Sequence, residues 1–236
     1  MMQNNEIGSK MPLSKTLGVL IGFPTISTLI SLLFINRNLI TDLGLNFGIT
    51  IKLIIIIWYL TQIYLIAQIL RSEGWSWSDI GYSFNTKKTI YFCLSYLIFA
   101  FGLLFFIEYT LANNDIDNEK LKSIIKLSPD NTTERVIFIF MGLVAGLAEE
   151  FVYRGFAIKS LISNKINKWL AVFLAAIPFV LQHGIKAYQV NWATWYFVWG
   201  IVFGILFLWF KKLTFNIIVH WLVILTVMIA ILQAIQ

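Results

Sequence analysis

The histidine complement of this 236-residue chain is two, and both lie in apolar stretches. His183 follows Phe179-Val180-Leu181-Gln182, and His220 follows Asn216-Ile217-Ile218-Val219. Glu149 and Glu150 stand side by side in a third such stretch, four residues ahead of Arg154. An ionisable side chain at the centre of a membrane helix costs roughly 2.5–3.5 kcal/mol to insert. Residues kept there against that cost are candidates for chemistry. On a helix Glu150 and Arg154 are i and i+4, with the acid N-terminal to its cation, the favoured order. Arg can hold the carboxylate through two parallel hydrogen bonds. This pair is expected to neutralise itself and fix the helix. Glu149 is turned about 100° away and has no local partner. A desolvated, unpaired carboxylate takes up a proton readily, which suits a general base. Glu149, His183 and His220 on three helices can bind a divalent metal such as zinc. They can equally position a water, with Glu149 as base. Sequence spacing does not decide between these. The His-Glu-X-X-His, Gly-X-Gly-X-X-Gly, Gly-X-Ser-X-Gly and P-loop patterns are absent. Lys52 and Glu108 lie near span ends, where long side chains reach the interface, and are expected to be structural.

The elements that must position these residues are membrane helices. Hydrophobic residues make up 58% of the chain and charged residues 13%, with a mean hydropathy of +0.78. Soluble domains are about a quarter charged, so disorder, a coiled coil and a small disulfide scaffold are excluded. The expected fold is all-α: a polytopic transmembrane bundle of about seven spans, near 17–35, 47–69, 89–112, 136–157, 169–182, 194–210 and 213–235. It reads as one integral-membrane domain over 1–236, with the motif-bearing core at about 136–235. The first run is too long for a signal-peptide core and is read as an uncleaved span. The fifth is short and contains Pro178, which points to a kinked or partly re-entrant segment. Only Lys211 and Lys212 separate the last two, so that turn must be tight. Gly142/Gly146 and Gly200/Gly204 have the spacing of close helix packing. No internal repeat of the transporter kind is visible.

Trp75, Trp77, Tyr82, Trp192, Trp195 and Tyr196 fall near span ends, as in an interfacial aromatic belt, and 71–88 reads as an interfacial linker. Lys10, Lys15, Arg71, Lys87, Lys88, Arg154, Lys159, Lys165, Lys168, Lys211 and Lys212 fall on one side of the membrane. Arg37, Lys120, Lys122, Lys126, Arg135 and Lys186 fall on the other, where the loop 113–134 also carries acids. The excess places the N-terminus in the cytoplasm and the protein in the cell membrane as a multi-pass chain. The net charge of +6 is scattered between apolar spans, so nucleic acid is not an expected partner. The expected partners are the lipid bilayer and a peptide or membrane-protein substrate. Cys93 is the single cysteine and forms no internal disulfide. The sequon at Asn131 reads as accidental.

Glu149-Glu150-X-X-X-Arg154, then Phe179-X-X-X-His183, then His220, resembles the three motifs of the CPBP family. These are the CAAX-prenyl-endopeptidase-like intramembrane proteases, also called the Abi or bacteriocin-processing family. The Trp-rich stretch 74–81 is loosely similar as well. The resemblance implies an intramembrane peptidase, a metalloprotease in one view of the family. Glu149 would activate the attacking water with help from His183, and Glu150 and Arg154 would hold the site. His220 would stabilise the oxyanion or bind metal. The family places Asn or Asp four residues after the histidine, where this chain has Ile224. Asn216, one turn the other way, is a candidate replacement donor. That departure also keeps open a non-proteolytic bacteriocin-immunity or membrane-interaction role on the same scaffold.

Overall fold

A computed structural model of the chain describes residues 10–83, 91 and 129–234. The expected third span, with Cys93 and Glu108, lies outside the described residues, as do Lys87, Lys88, Lys120, Lys122 and Lys126. Among the described residues the fold is all-helical. Helix α1 covers Leu13–Ser31 and α2 is the short Asn38–Thr41. Helix α3 covers Phe47–Ser72. Helix α4 is one rod over Thr132–Ser163. Then follow α5 (Lys168–Leu181), a 3-10 turn (Gly184–Tyr188), α6 (Val190–Phe210) and α7 (Leu213–Ala234). Four of these, α1 with its 3-10 extension, α3, α4 and α6, are long and apolar enough to cross a membrane. The protein is a multi-pass membrane helical bundle.

The packing is built around α4, whose apolar span is more deeply buried than those of α1, α3 and α6. Helices α3 and α7 lie directly against it, and α5 meets its second half. Glycines make the close approaches. A Cβ at Gly142 would strike Met228 and Ile224, and one at Gly146 would strike Ile224 and Trp221. Ile224 therefore fills the α4–α7 seam. Gly200 and Gly204 do the same between α6 and α5, against Ala176, Phe179 and Val172. Both glycine pairs are packing devices, as their spacing implies.

The fifth element is short, as expected. Fourteen residues span about 21 Å, less than the roughly 30 Å hydrocarbon core. It ends at Leu181, so His183 sits in the turn beyond it. The tight turn before α7 is made by Lys211 in the left-handed region, at φ 55°.

Two expectations need correction. Lys52 does not snorkel: it is 1% exposed and bonds Glu134 Oε2 at 2.7 Å. Glu134 is not a loop acid. It sits in the first turn of α4, where Asn131 Oδ1 caps the helix by accepting from its backbone N–H at 2.9 Å. The described part of 71–88 also packs on the bundle. Trp75 and Ile80 are buried in the main core, and Trp77 and Tyr82 pack on Phe151 of α4.

The Lys52–Glu134 pair leads to a stability prediction. Removing one member of a buried pair leaves an uncompensated charge, at a cost of about 3–5 kcal/mol, while replacing both by apolar residues is often neutral. Lys52→Met should lower the melting temperature of the detergent-solubilised protein markedly. Lys52→Met/Glu134→Leu should recover most of the loss. A double variant as unstable as the single one would contradict the pairing.

Candidate active site

The site forms where α4 changes its winding. Thr132–Glu149 is α-helical, and Glu150–Ile158 is π-helical. Such wider turns are rare and recur at functional sites. Every residue of the π segment is buried. At its start Glu149 and Glu150 enter the core side by side, 4% and 0% exposed.

Glu150 is held on both oxygens. His220 Nδ1 lies 2.9 Å from Oε1, and Asn216 Nδ2 donates to Oε2 at 3.2 Å. Arg154 Nη1 is 3.4 Å from Oε1, the expected i,i+4 pair, made here through one nitrogen. The guanidinium lies over the Phe179 ring at 4.2 Å and faces the Phe203 ring at 5.4 Å. It also reaches Trp199 O. Arg154 is thus an interior residue and not a loop charge. Aromatic faces favour a planar cation in a dry site. Asn216 donates a second bond to Phe203 O at 2.7 Å. Its amide hydrogens are committed to Glu150 and α6, so it holds Glu150 and does not face a substrate as an oxyanion donor.

Glu149 finds its partners on other elements. The Tyr59 hydroxyl on α3 donates to its Oε1 at 2.7 Å. His183 Nε2 faces Oε1 at 4.0 Å, and His220 Nε2 faces Oε2 at 3.7 Å. The sequence register separated the two carboxylates by a turn of about 100°. That turn is bridged by one imidazole: His220 inserts between them, Nδ1 toward Glu150 and Nε2 toward Glu149. The five candidate residues Glu149, Glu150, Arg154, His183 and His220 therefore form one cluster.

The histidine partners fix the tautomers. His183 Nδ1 meets the Phe179 carbonyl oxygen at 2.8 Å. A carbonyl only accepts, so Nδ1 carries the hydrogen and Nε2 keeps its lone pair. Burial lowers the basicity of His183 below the usual imidazole range, opposed by the Glu149 carboxylate. Its ring stacks on Tyr196 at 3.6 Å and 17°. Phe179 thus has two tasks, its carbonyl orienting His183 and its ring seating Arg154.

A cavity of about 340 Å³ is lined by two partners of Glu149, Tyr59 and His183. Its walls include Tyr59, Gln182, His183 and Tyr196, with Trp58, Ile30 and Phe34 supplying apolar surface. Trp192 and Tyr196 belong to this wall, a more specific place than an interfacial belt. Beneath it, Tyr153 bonds Gln182, and Gln182 exchanges bonds with Gln62 at 3.4 Å. Sequence reading missed Tyr59 and Gln62. Lys52, Tyr59 and Gln62 recur on the buried face of α3. That polar repeat within an apolar span was the available signal.

Residues 131–226 match the family model described as type II CAAX prenyl endopeptidase Rce1-like. Over these residues, the Rce1-like region, the chain is similar to that family. The match contains all five clustered residues. Helices α1 and α3 lie outside the Rce1-like region. No curated protein and no solved structure matches the chain.

Two imidazole Nε2 atoms and a carboxylate are the donor types of a catalytic zinc site. Nδ1 anchoring on a carbonyl and a carboxylate is usual for zinc-ligating histidines. Among the described residues, however, no three such donors are grouped so that they could hold a metal ion.

Proposed function

We propose that the protein is an intramembrane peptidase that hydrolyses a membrane-associated peptide or protein, with Glu149 as general base. The observation that carries this reading is the buried Glu149 carboxylate, faced by the Nε2 atoms of His183 and His220 and bonded by Tyr59, with Tyr59 and His183 lining an apolar cavity. The 4.0 Å gap from Oε1 to His183 Nε2 is too long for a direct bond. It suits one water at about 2.8 Å from each. Both acceptors would take that water's hydrogens, leaving an oxygen lone pair free for a carbonyl carbon in the cavity. Glu149 takes the proton as the carbon–oxygen bond forms, then passes it to the leaving nitrogen as the carbon–nitrogen bond breaks. Glu150, Arg154 and Asn216 keep His220 and the carboxylates in place. We further propose, from the distribution of Lys and Arg, that the N-terminus is cytoplasmic and that the chain sits in the cell membrane.

An internally quenched peptide carrying an S-farnesylcysteine followed by three apolar residues tests this reading. Purified wild type in detergent should cleave it. His183→Ala should lower the rate about a hundredfold or more, because the water loses one of its two acceptors. Treatment with a chelator tests for a resident metal. Unchanged cleavage supports the metal-free step. Loss restored by zinc would assign Glu149, His183 and His220 as ligands and contradict that step. A second reading, a non-proteolytic bacteriocin-immunity or membrane-interaction protein, draws on Ile224, which packs in a helix seam where the family has Asn or Asp.

A further inference from the structure

Hydrolysis at this site, as proposed above, needs a hydrogen-bond donor for the oxygen that gains charge when water attacks. The clustered histidines do not supply one to the cavity. His183 Nδ1 is spent on Phe179 O, and His220 Nδ1 on Glu150. The remaining nitrogens are lone-pair acceptors in the neutral rings. His220 is also absent from the cavity wall, so a proton on its Nε2 would face Glu149 Oε2, 3.7 Å away, and not the cavity. Asn216 is committed to Glu150 and Phe203. Tyr59 meets the requirement. Its hydroxyl sits 2.7 Å from Glu149 Oε1, on the same oxygen that His183 faces, and Tyr59 and His183 are both cavity wall residues. Its ring is 9% exposed and packs with Val144 and Ala148 of α4, so the hydroxyl is held in position.

We propose that Tyr59, from α3 outside the Rce1-like region, is a catalytic residue that donates to the oxyanion. At rest its O–H is drawn to the Glu149 carboxylate. When Glu149 takes the water proton, that carboxylate becomes neutral and its pull on Tyr59 weakens. The O–H then turns to the substrate oxygen as the carbonyl pair moves onto it. On collapse the pair re-forms the carbonyl, the carbon–nitrogen bond breaks, and the Glu149 proton goes to the amine. Tyr59 keeps its own proton throughout.

Tyr59→Phe keeps the ring and removes only the hydroxyl. On the farnesylated peptide it should lower kcat about a hundred- to a thousandfold with KM little changed. Tyr64→Phe, which removes an exposed hydroxyl from the same helix away from the cavity, should keep wild-type activity. Infrared difference spectra between wild type and Glu149→Gln report the Glu149 carboxylate without any substrate. That band should shift in Tyr59→Phe. Full activity in Tyr59→Phe overturns the proposal while leaving the peptidase reading intact, and an equal loss in Tyr64→Phe shows that the effect is not specific to the Tyr59 hydroxyl and overturns it too. A wild type that cleaves nothing defeats the peptidase reading and the catalytic role with it. The infrared band then decides the Tyr59–Glu149 bond by itself, and an unmoved band overturns that bond too.

Discussion

Glu149→Gln should abolish cleavage, by roughly a hundred- to ten-thousandfold, the range a positioned general base contributes. The amide is close to isosteric with the carboxylate and still accepts from Tyr59 through its carbonyl oxygen. The variant should therefore insert, fold and melt close to wild type. It cannot take a proton from water, so the attacking hydroxide is never formed. Glu150→Gln is not equivalent, because Glu150 binds His220, Asn216 and Arg154. Its loss should lower stability as well as activity. Two adjacent glutamates thus have separable roles, and melting temperature measured beside turnover separates them. A Glu149→Gln protein that cleaves at the wild-type rate would remove the chemical basis of the site.

The second large effect concerns Arg154. It is 1% exposed and sits between two aromatic rings with Glu150 as its ion partner. Arg154→Leu leaves Glu150 beside Glu149 in the core with its cation gone. Breaking a buried pair in this way costs about 3–5 kcal/mol, enough to consume much of a marginal stability. The variant should accumulate poorly in membranes and melt well below wild type. Arg154→Lys keeps the charge and loses the planar stacking on Phe179, so it should fall between the two. Equal melting temperatures for wild type and Arg154→Leu would show that the pair is not what holds the π segment.

Much of this architecture is legible in the sequence because the membrane makes the rules simple. Long apolar runs must become helices, and the expected spans over the described residues match α1, α3, α4, α5, α6 and α7 within a few residues. The candidate site residues are legible for the same reason: Glu149, His183 and His220 are expensive where they stand. Their mutual arrangement is not legible, since it depends on which helices neighbour α4. A period of 3.6 residues could not show that one imidazole bridges Glu149 and Glu150, or that the helix widens there into a π segment. Tyr59 was hidden by its ordinariness, because an uncharged tyrosine in an apolar span carries no obvious cost. Lys52 misled because end-of-span lysines usually reach water. Its partner Glu134 was assigned to a loop, although Asn131 three residues earlier was a readable helix cap.

The most direct test is mass spectrometry of the farnesylated peptide after incubation with purified wild type in water enriched in oxygen-18. Water attack activated by Glu149 predicts one cut, with a single heavy oxygen in the newly formed carboxyl group and no product from Glu149→Gln. A folded wild type that leaves the peptide and related membrane substrates intact would contradict hydrolysis. So would a product whose new carboxyl group carries no heavy oxygen.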